Sequence, residues 1–211
     1  MMIPVSIKGI GKYLPEKVIS NDDLSAILDT NDEWISSRTG IKERRVVSGN
    51  ESASELAYKA SLNALENAGL DKTELDMIIA ATSAPDHLYP SLSCEVLGKL
   101  GLGSGIPAFD VTAACTGFVY ALGIARSFVQ TGQCKNILVI GADVHSRVLD
   151  WSDRATCVLF GDGAGAMVVS KSDDAINRVL SVKMHANGAK SSELKIPIAG
   201  KNCPLVEPRE E

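Results

Sequence analysis

Residues 108–126, AFDVTAACTGFVYALGIAR, constrain the fold more than any other stretch. Residues 108–111 are a short apolar run behind Pro107 and read as a buried strand. Thr112, Ala113 and Ala114 are small enough for a tight turn. From Thr116 onward the spacing is helical, with Phe118, Ala121, Leu122 and Ala125 on one face. Cys115 thereby falls where a strand turns into a helix. The first N–H groups of a helix lack intrahelical partners and carry partial positive charge, so a thiolate there is stabilised. The same N–H groups are placed to donate to the oxyanion of a thioester under attack. The plainer alternative is that Cys115 is a small buried residue, as most free cysteines are.

Strand and helix signals alternate along the rest of the chain. Residues 5–10 alternate around Ser6 and Lys8 and read as a strand ending near Gly11. A helix carrying Leu24, Ile27 and Leu28 opens at residues 20–23, with Ser20 or Asn21 as its cap. Asn31 caps a second short helix that Gly40 closes. Over 52–70, Ser52 and Glu55 read as a capping box, Leu56, Ala60, Leu65 and Ala68 keep the helical period, and Gly69 ends it. Residues 77–82 are a near-continuous apolar strand, 91–100 a helix, 136–141 a strand, and 176–184 a further strand. Residues 143–154 are polar and irregular, and the tail 204–211 is charged with no core pattern. Strand, helix, strand in this order predicts a parallel sheet with crossover helices.

Residues 161–166, GDGAGA, satisfy a GxGxxA dinucleotide fingerprint. That fingerprint needs a helix after the glycines, and 166–169 are β-rich and too short for one. A hairpin-like turn between two strands fits better, the glycines supplying positive φ and close backbone approach. Arg38, Lys42, Arg44 and Arg45 form a cationic cluster beside Trp34. Such a cluster is most often a solvated face; the sharper reading is a phosphate site with a flat ring for stacking.

The net charge of -5 argues against a general nucleic-acid binder. No run approaches the roughly 18 apolar residues of a membrane helix, and residues 1–5 lack the pattern of a signal peptide. The five cysteines are odd in number and without CxxC spacing, which speaks against a disulfide framework or a metal site and suits a reducing, cytoplasmic setting.

Residues 110–122, DVTAACTGFVYAL, resemble the nucleophile segment of β-ketoacyl-acyl carrier protein synthase III, a thiolase-like condensing enzyme. Residues 31–44, NDEWISSRTGIKER, and 160–166, FGDGAGA, match the same family in the same order. The resemblance implies an α/β thiolase-like fold of which residues 1–211 are the N-terminal half: a mostly parallel five-stranded sheet covered by helices. It implies that Cys115 accepts the acyl group, and that Thr30, Trp34, Arg38 and Arg154 hold coenzyme A, the tryptophan stacking on adenine. Tyr89 takes the place of an aromatic, commonly phenylalanine, that reaches across a homodimer and closes the partner's acyl pocket; the alternative is a loop anchor. The implied substrates are acyl-coenzyme A and malonyl-acyl carrier protein, with no cofactor, and the implied reaction starts fatty acid synthesis. In the family a histidine and an asparagine from a second half assist decarboxylation. Neither motif has a counterpart here, and His87, His145 and His185 lie in no motif, so condensation by this chain alone is not expected. A polyketide starter synthase, a 3-hydroxy-3-methylglutaryl-coenzyme A synthase-like enzyme and a non-catalytic acyl-thioester-binding module are the alternatives.

Overall fold

A computed structural model describes residues 2–172 and 178–196. Its centre is a five-stranded sheet in the order β1 (Val5–Tyr13), β7 (Asp162–Lys171), β6 (Asn136–Val144), β4 (Met77–Ala81), β5 (Ala108–Val111). β4 pairs in parallel with both β5 and β6, whereas β7 runs antiparallel to both β6 and β1. Four of the five strands therefore point the same way, and β7 alone is reversed. A small second sheet pairs β2 (Val18–Ser20) with β3 (Glu43–Arg45).

The period of two in the strands sorts their side chains between two apolar layers. Ile78, Ala80, Leu138, Ile140, Ala166 and Val168 meet α3 (Ala53–Ala68) and α4 (Leu92–Lys99) on one face. Met77, Ile79, Ile137, Val139 and Val169 meet α5 (Gly117–Gln130) on the other, through Ala121, Ala125 and Val129. The β4–α4–β5 and β5–α5–β6 crossovers thus take opposite faces of the sheet. β4 is buried at all five positions, as its unbroken apolar run requires. A third cluster, around Leu24, Ile35, Cys157 and Val158, lies under α1 (Asn21–Ser25) and α2 (Asp32–Thr39).

Local signals place the helix ends. Ser20 caps α1 in a full capping box with Asp23, and Asn31 Oδ1 accepts from the Trp34 N–H at 2.8 Å. Gly40 and Gly69 close α2 and α3 at φ 74° and 61°. At α3 the box is half made. Ser52 Oγ accepts from the Glu55 N–H, but the Glu55 carboxylate turns outward to Lys59 and Lys99. Asp86 instead accepts from the Ala53 and Ser54 N–H groups at 2.8 and 2.9 Å.

Four expectations need correction. β5 is half-buried, because it is the edge of the sheet. β6 continues through Asp143 and Val144, which the polar character of 143–154 had hidden. The glycines of 161–166 form no hairpin. Gly163 and Gly165 lie inside β7, and the glycines of this run have no positive φ. Their smallness serves close approach: a Cβ on Gly161 would lie 2.9 Å from the Arg45 carbonyl oxygen, and one on Gly163 2.9 Å from Leu14. Residues 178–184 form no strand, and the rest of that predicted strand, with Cys203 and the 204–211 tail, lies outside the described residues. Residues 178–185 are held instead by bonds that do not make a ladder. The Val179 N–H donates to the Val5 carbonyl at 2.8 Å, the Arg126 guanidinium to the Val179 and Leu180 carbonyls, and the Tyr120 hydroxyl to the His185 carbonyl.

Candidate active site

The crossovers that leave the neighbouring strands β4 and β5 take opposite faces of the sheet, and in open α/β sheets ligands bind beyond the carboxyl ends of strands at such a point. Cys115 is there. β5 ends at Val111, Ala113 sits at φ -144° and ψ 31°, and Ala114 takes φ 44°. Ala114 is the one non-glycine with positive φ among the described residues, a conformation costing about 1–2 kcal/mol in an L-residue. One 3-10 turn, Ala114–Thr116, then leads into α5. Gly117 seats that helix: a Cβ there would be 3.2 Å from the Ala81 Cβ of β4. Cys115 is exposed in this turn, not buried. The turn also spends two N–H groups expected to be free. Thr116 donates to the Ala113 carbonyl at 3.1 Å, and Gly117 to that of Ala114.

The predicted nucleotide residues come together. The Arg38 guanidinium lies 4.6 Å from the centroid of the Trp34 ring, and that of Arg154 5.3 Å from it, so two segments far apart in sequence supply cations to one indole. Arg154 also donates to the carbonyl and carboxylate of Asp29, beside Thr30. Thr30 Oγ1 is buried without a hydrogen-bond partner. The wider cationic cluster does not survive as a phosphate site. Lys42 pairs with Asp32 at 2.9 Å, and Arg45 donates to the carbonyls of Pro15 and Glu16. Arg44 is 6% exposed, drawn under the surface by neutral acceptors.

Tyr89 is 85% exposed at the tip of the loop after β4, beside Leu88. Carboxylates that sequence reasoning missed clamp both ends of that loop. Asp143 Oδ1, at the end of β6, accepts from the Ser83 and Ala84 N–H groups and the Thr82 hydroxyl. Asp110, in β5, accepts from the Leu92 and Ser93 N–H groups at 2.7 and 2.9 Å and so caps α4. The available signal was a lone acid near the end of an apolar strand, a group that burial obliges to find donors. The rings of two of the three histidines are engaged elsewhere, and the third takes part through its backbone. His87 contacts Glu95 at 3.0 Å, His145 stacks on Phe160, and the carbonyl of His185 takes the Tyr120 hydroxyl. A groove of about 360 Å³ bounded by Val46, Gly49, Arg147 and Trp151 contains none of the predicted site residues.

A sheet with one reversed strand between helical layers, and a cysteine in the turn from its edge strand into the covering helix, defines the thiolase-like α/β class. Residues 109–188 match the family model of 3-oxoacyl-[acyl-carrier-protein] synthase III. The chain is 52% identical over 192 residues to β-ketoacyl-[acyl-carrier-protein] synthase III of Xanthomonas campestris pv. campestris, covering 91% of this chain and 58% of that protein. The chain belongs, over the span it covers, to the β-ketoacyl-[acyl-carrier-protein] synthase III family. Among solved structures it is similar to the synthase III of Thermus thermophilus, with 41% identity and a TM-score of 0.87 over 94% of this chain and 61% of that one. It is also similar to the priming β-ketosynthase of the R1128 polyketide pathway, with 37% identity and a TM-score of 0.79 over 82% of this chain and 52% of that one. It spans less than two thirds of the length of each of these relatives.

Proposed function

We propose that residues 1–211 supply the acyl-accepting half of a β-ketoacyl-acyl carrier protein synthase III. The Cys115 thiolate attacks the thioester carbonyl of acyl-coenzyme A, a carbon–sulfur bond to Cys115 forms, and coenzyme A leaves as its thiol after taking a proton. Malonyl-acyl carrier protein then loses carbon dioxide. The resulting carbanion attacks the acyl-cysteine, releasing the Cys115 thiolate and a β-ketoacyl-carrier protein, the first product of fatty acid synthesis. Trp34, Arg38, Arg154 and Thr30 hold the nucleotide end of coenzyme A, and no cofactor takes part. The observation that carries this reading is the exposed Cys115 in the turn between β5 and α5.

A cytoplasmic homodimer is part of this reading, and two features support the dimer. β5 presents an open sheet edge, and Tyr89 stands out from the surface as a residue reaching a partner's pocket would. No helix among the described residues is long and apolar enough to cross a membrane. A second reading, priming of a polyketide chain by the same acyl-cysteine chemistry, is favoured by the likeness to the R1128 enzyme. The test is transfer of labelled acetyl groups from acetyl-coenzyme A to the full-length protein. Label is expected on Cys115 and lost in Cys115→Ser; label that persists in that variant refutes the assignment. A panel of acyl-coenzyme A primers separates the two readings.

A further inference from the structure

Beneath the Trp34 cleft lies a polar hub that the proposed chemistry does not use. Arg44 is 6% exposed, and its guanidinium donates to the Ile19 carbonyl at 3.1 Å, Asn21 Oδ1 at 2.9 Å and the Val158 carbonyl at 3.2 Å. Its Nε is buried without a partner. Asn21, 1% exposed, accepts from Arg44 and donates through Nδ2 to Asp32 Oδ1 at 2.8 Å and to the Ile41 carbonyl at 2.7 Å. Burying a cation against neutral acceptors stabilises a fold poorly, and well-packed apolar residues often do better. What such a hub supplies is direction, because each of its bonds fixes an angle between segments.

The segments it joins are the two walls of the cleft. Asp32 is the first residue of α2, which carries Trp34 and Arg38. Val158 lies four residues beyond Arg154, in a turn held by its own bonds: the Cys157 N–H to the Asp153 carbonyl, and the Thr156 hydroxyl to the Asp153 carboxylate. The path α2–Asn21–Arg44–Val158 therefore ties the backbone that carries Arg154 to α2, beside the direct bonds from Arg154 to Asp29. We propose that Asn21 and Arg44 are positioning residues for the nucleotide cleft, holding its tryptophan wall and its Arg154 wall in one frame. The inference rests on the reading of Trp34, Arg38 and Arg154 as that cleft.

The experiment measures binding of adenosine 3′,5′-bisphosphate to the 211-residue chain by calorimetry. Asn21→Asp keeps the acceptor for Arg44 but turns the Asp32 link into a meeting of two carboxylates. Its affinity should fall about tenfold, or about 1.4 kcal/mol. In the double variant Asn21→Asp, Asp32→Asn the donor and acceptor are exchanged across the Asp32 gap, while the Ile41 carbonyl that took the Asn21 amide still meets a carboxylate, so part of the lost affinity should return. Rescue by reversed polarity is a readout that a general loss of stability would not move. Arg44→Lys keeps the charge but not the planar fork, should weaken binding similarly, and serves if Asn21→Asp does not fold. Trp34→Ala reports on the cleft itself and should lose binding. If it does while folded Asn21→Asp and Arg44→Lys bind within twofold of the unchanged chain, the positioning role is wrong and the cleft reading stands. If Trp34→Ala binds as the unchanged chain does, or the unchanged chain does not bind, the cleft reading fails and takes the positioning role with it.

Discussion

Gly11→Ala should damage this fold far more than its size suggests. β1 packs backbone to backbone against α3, whose Ala60, Ala64 and Ala68 recur every four residues toward Gly9 and Gly11. A Cβ built on Gly11 would stand 2.3 Å from both the Ala60 carbonyl oxygen and the Ala64 nitrogen. That is about 1 Å inside an ordinary contact of about 3.5 Å. The obstructing atoms are main chain, so no side chain can rotate away, and α3 must lift. A gap of about 0.5–1 Å forfeits a quarter to a half of each contact's attraction, and α3 buries Leu56, Ala57, Ala60, Ala64 and Leu65 on that face. The expected cost is at or above the upper end of the usual overpacking penalty, about 3 kcal/mol. That is a large share of a typical stability of about 5–15 kcal/mol. Gly165 provides the control. It pairs with Lys12, one step along the same ladder, but the nearest atom to its Cβ would be the Gly11 carbonyl oxygen at 3.9 Å. Gly165→Ala should change stability by no more than about 0.5 kcal/mol. Urea unfolding followed by circular dichroism measures both. Equal midpoints for the two variants, or a Gly11→Ala cost below about 1 kcal/mol, would refute the close-packing argument.

Three further outcomes are expected. Limiting iodoacetamide should modify Cys115 ahead of Cys134 and Cys157, which are buried and whose thiols burial pushes up; first labelling of either buried residue contradicts the site. The Asn21 amide, followed by Lys42 and Ser36, lowers the Asp32 carboxyl from 3.8 to about 2. A folded value below the unfolded one gives stability that is full above about pH 4 and is lost as pH falls toward 2; Asn21→Ala should move the carboxyl titration, read by NMR, back toward 3.8, and an unmoved value would remove Asn21 as the leading cause. The 211-residue chain given labelled acetyl-coenzyme A and malonyl-acyl carrier protein should acylate itself slowly at Cys115 and form no condensation product. Turnover would return His87, His145 and His185 to consideration as the base.

The sequence by itself determined what local rules govern. Ser20, Asn31 and Gly69 set helix ends because a cap acts within one turn. The change from a short apolar run before Cys115 to a period near 3.6 after it placed that residue between strand and helix, where the fold has it. Tertiary structure decided whatever depends on distant neighbours. Arg44 stands in a run of cations, and only the arrival of the Val158 carbonyl, 114 residues away, makes it a buried link and not a phosphate ligand. Asn21 was one of two possible caps until Ser20 took that role and left its amide to join α2 to Arg44. Asp110 looked like an exception in an apolar strand and Asp143 like the start of an irregular segment; the loop folded over them supplied the N–H donors. The glycines of 161–166 needed no turn, because what they make room for is the backbone of Arg45 and the side chain of Leu14. Capping and periodicity are written within a few residues, whereas the burial of a charge or the clearance beside a glycine is fixed by segments that only the fold brings together.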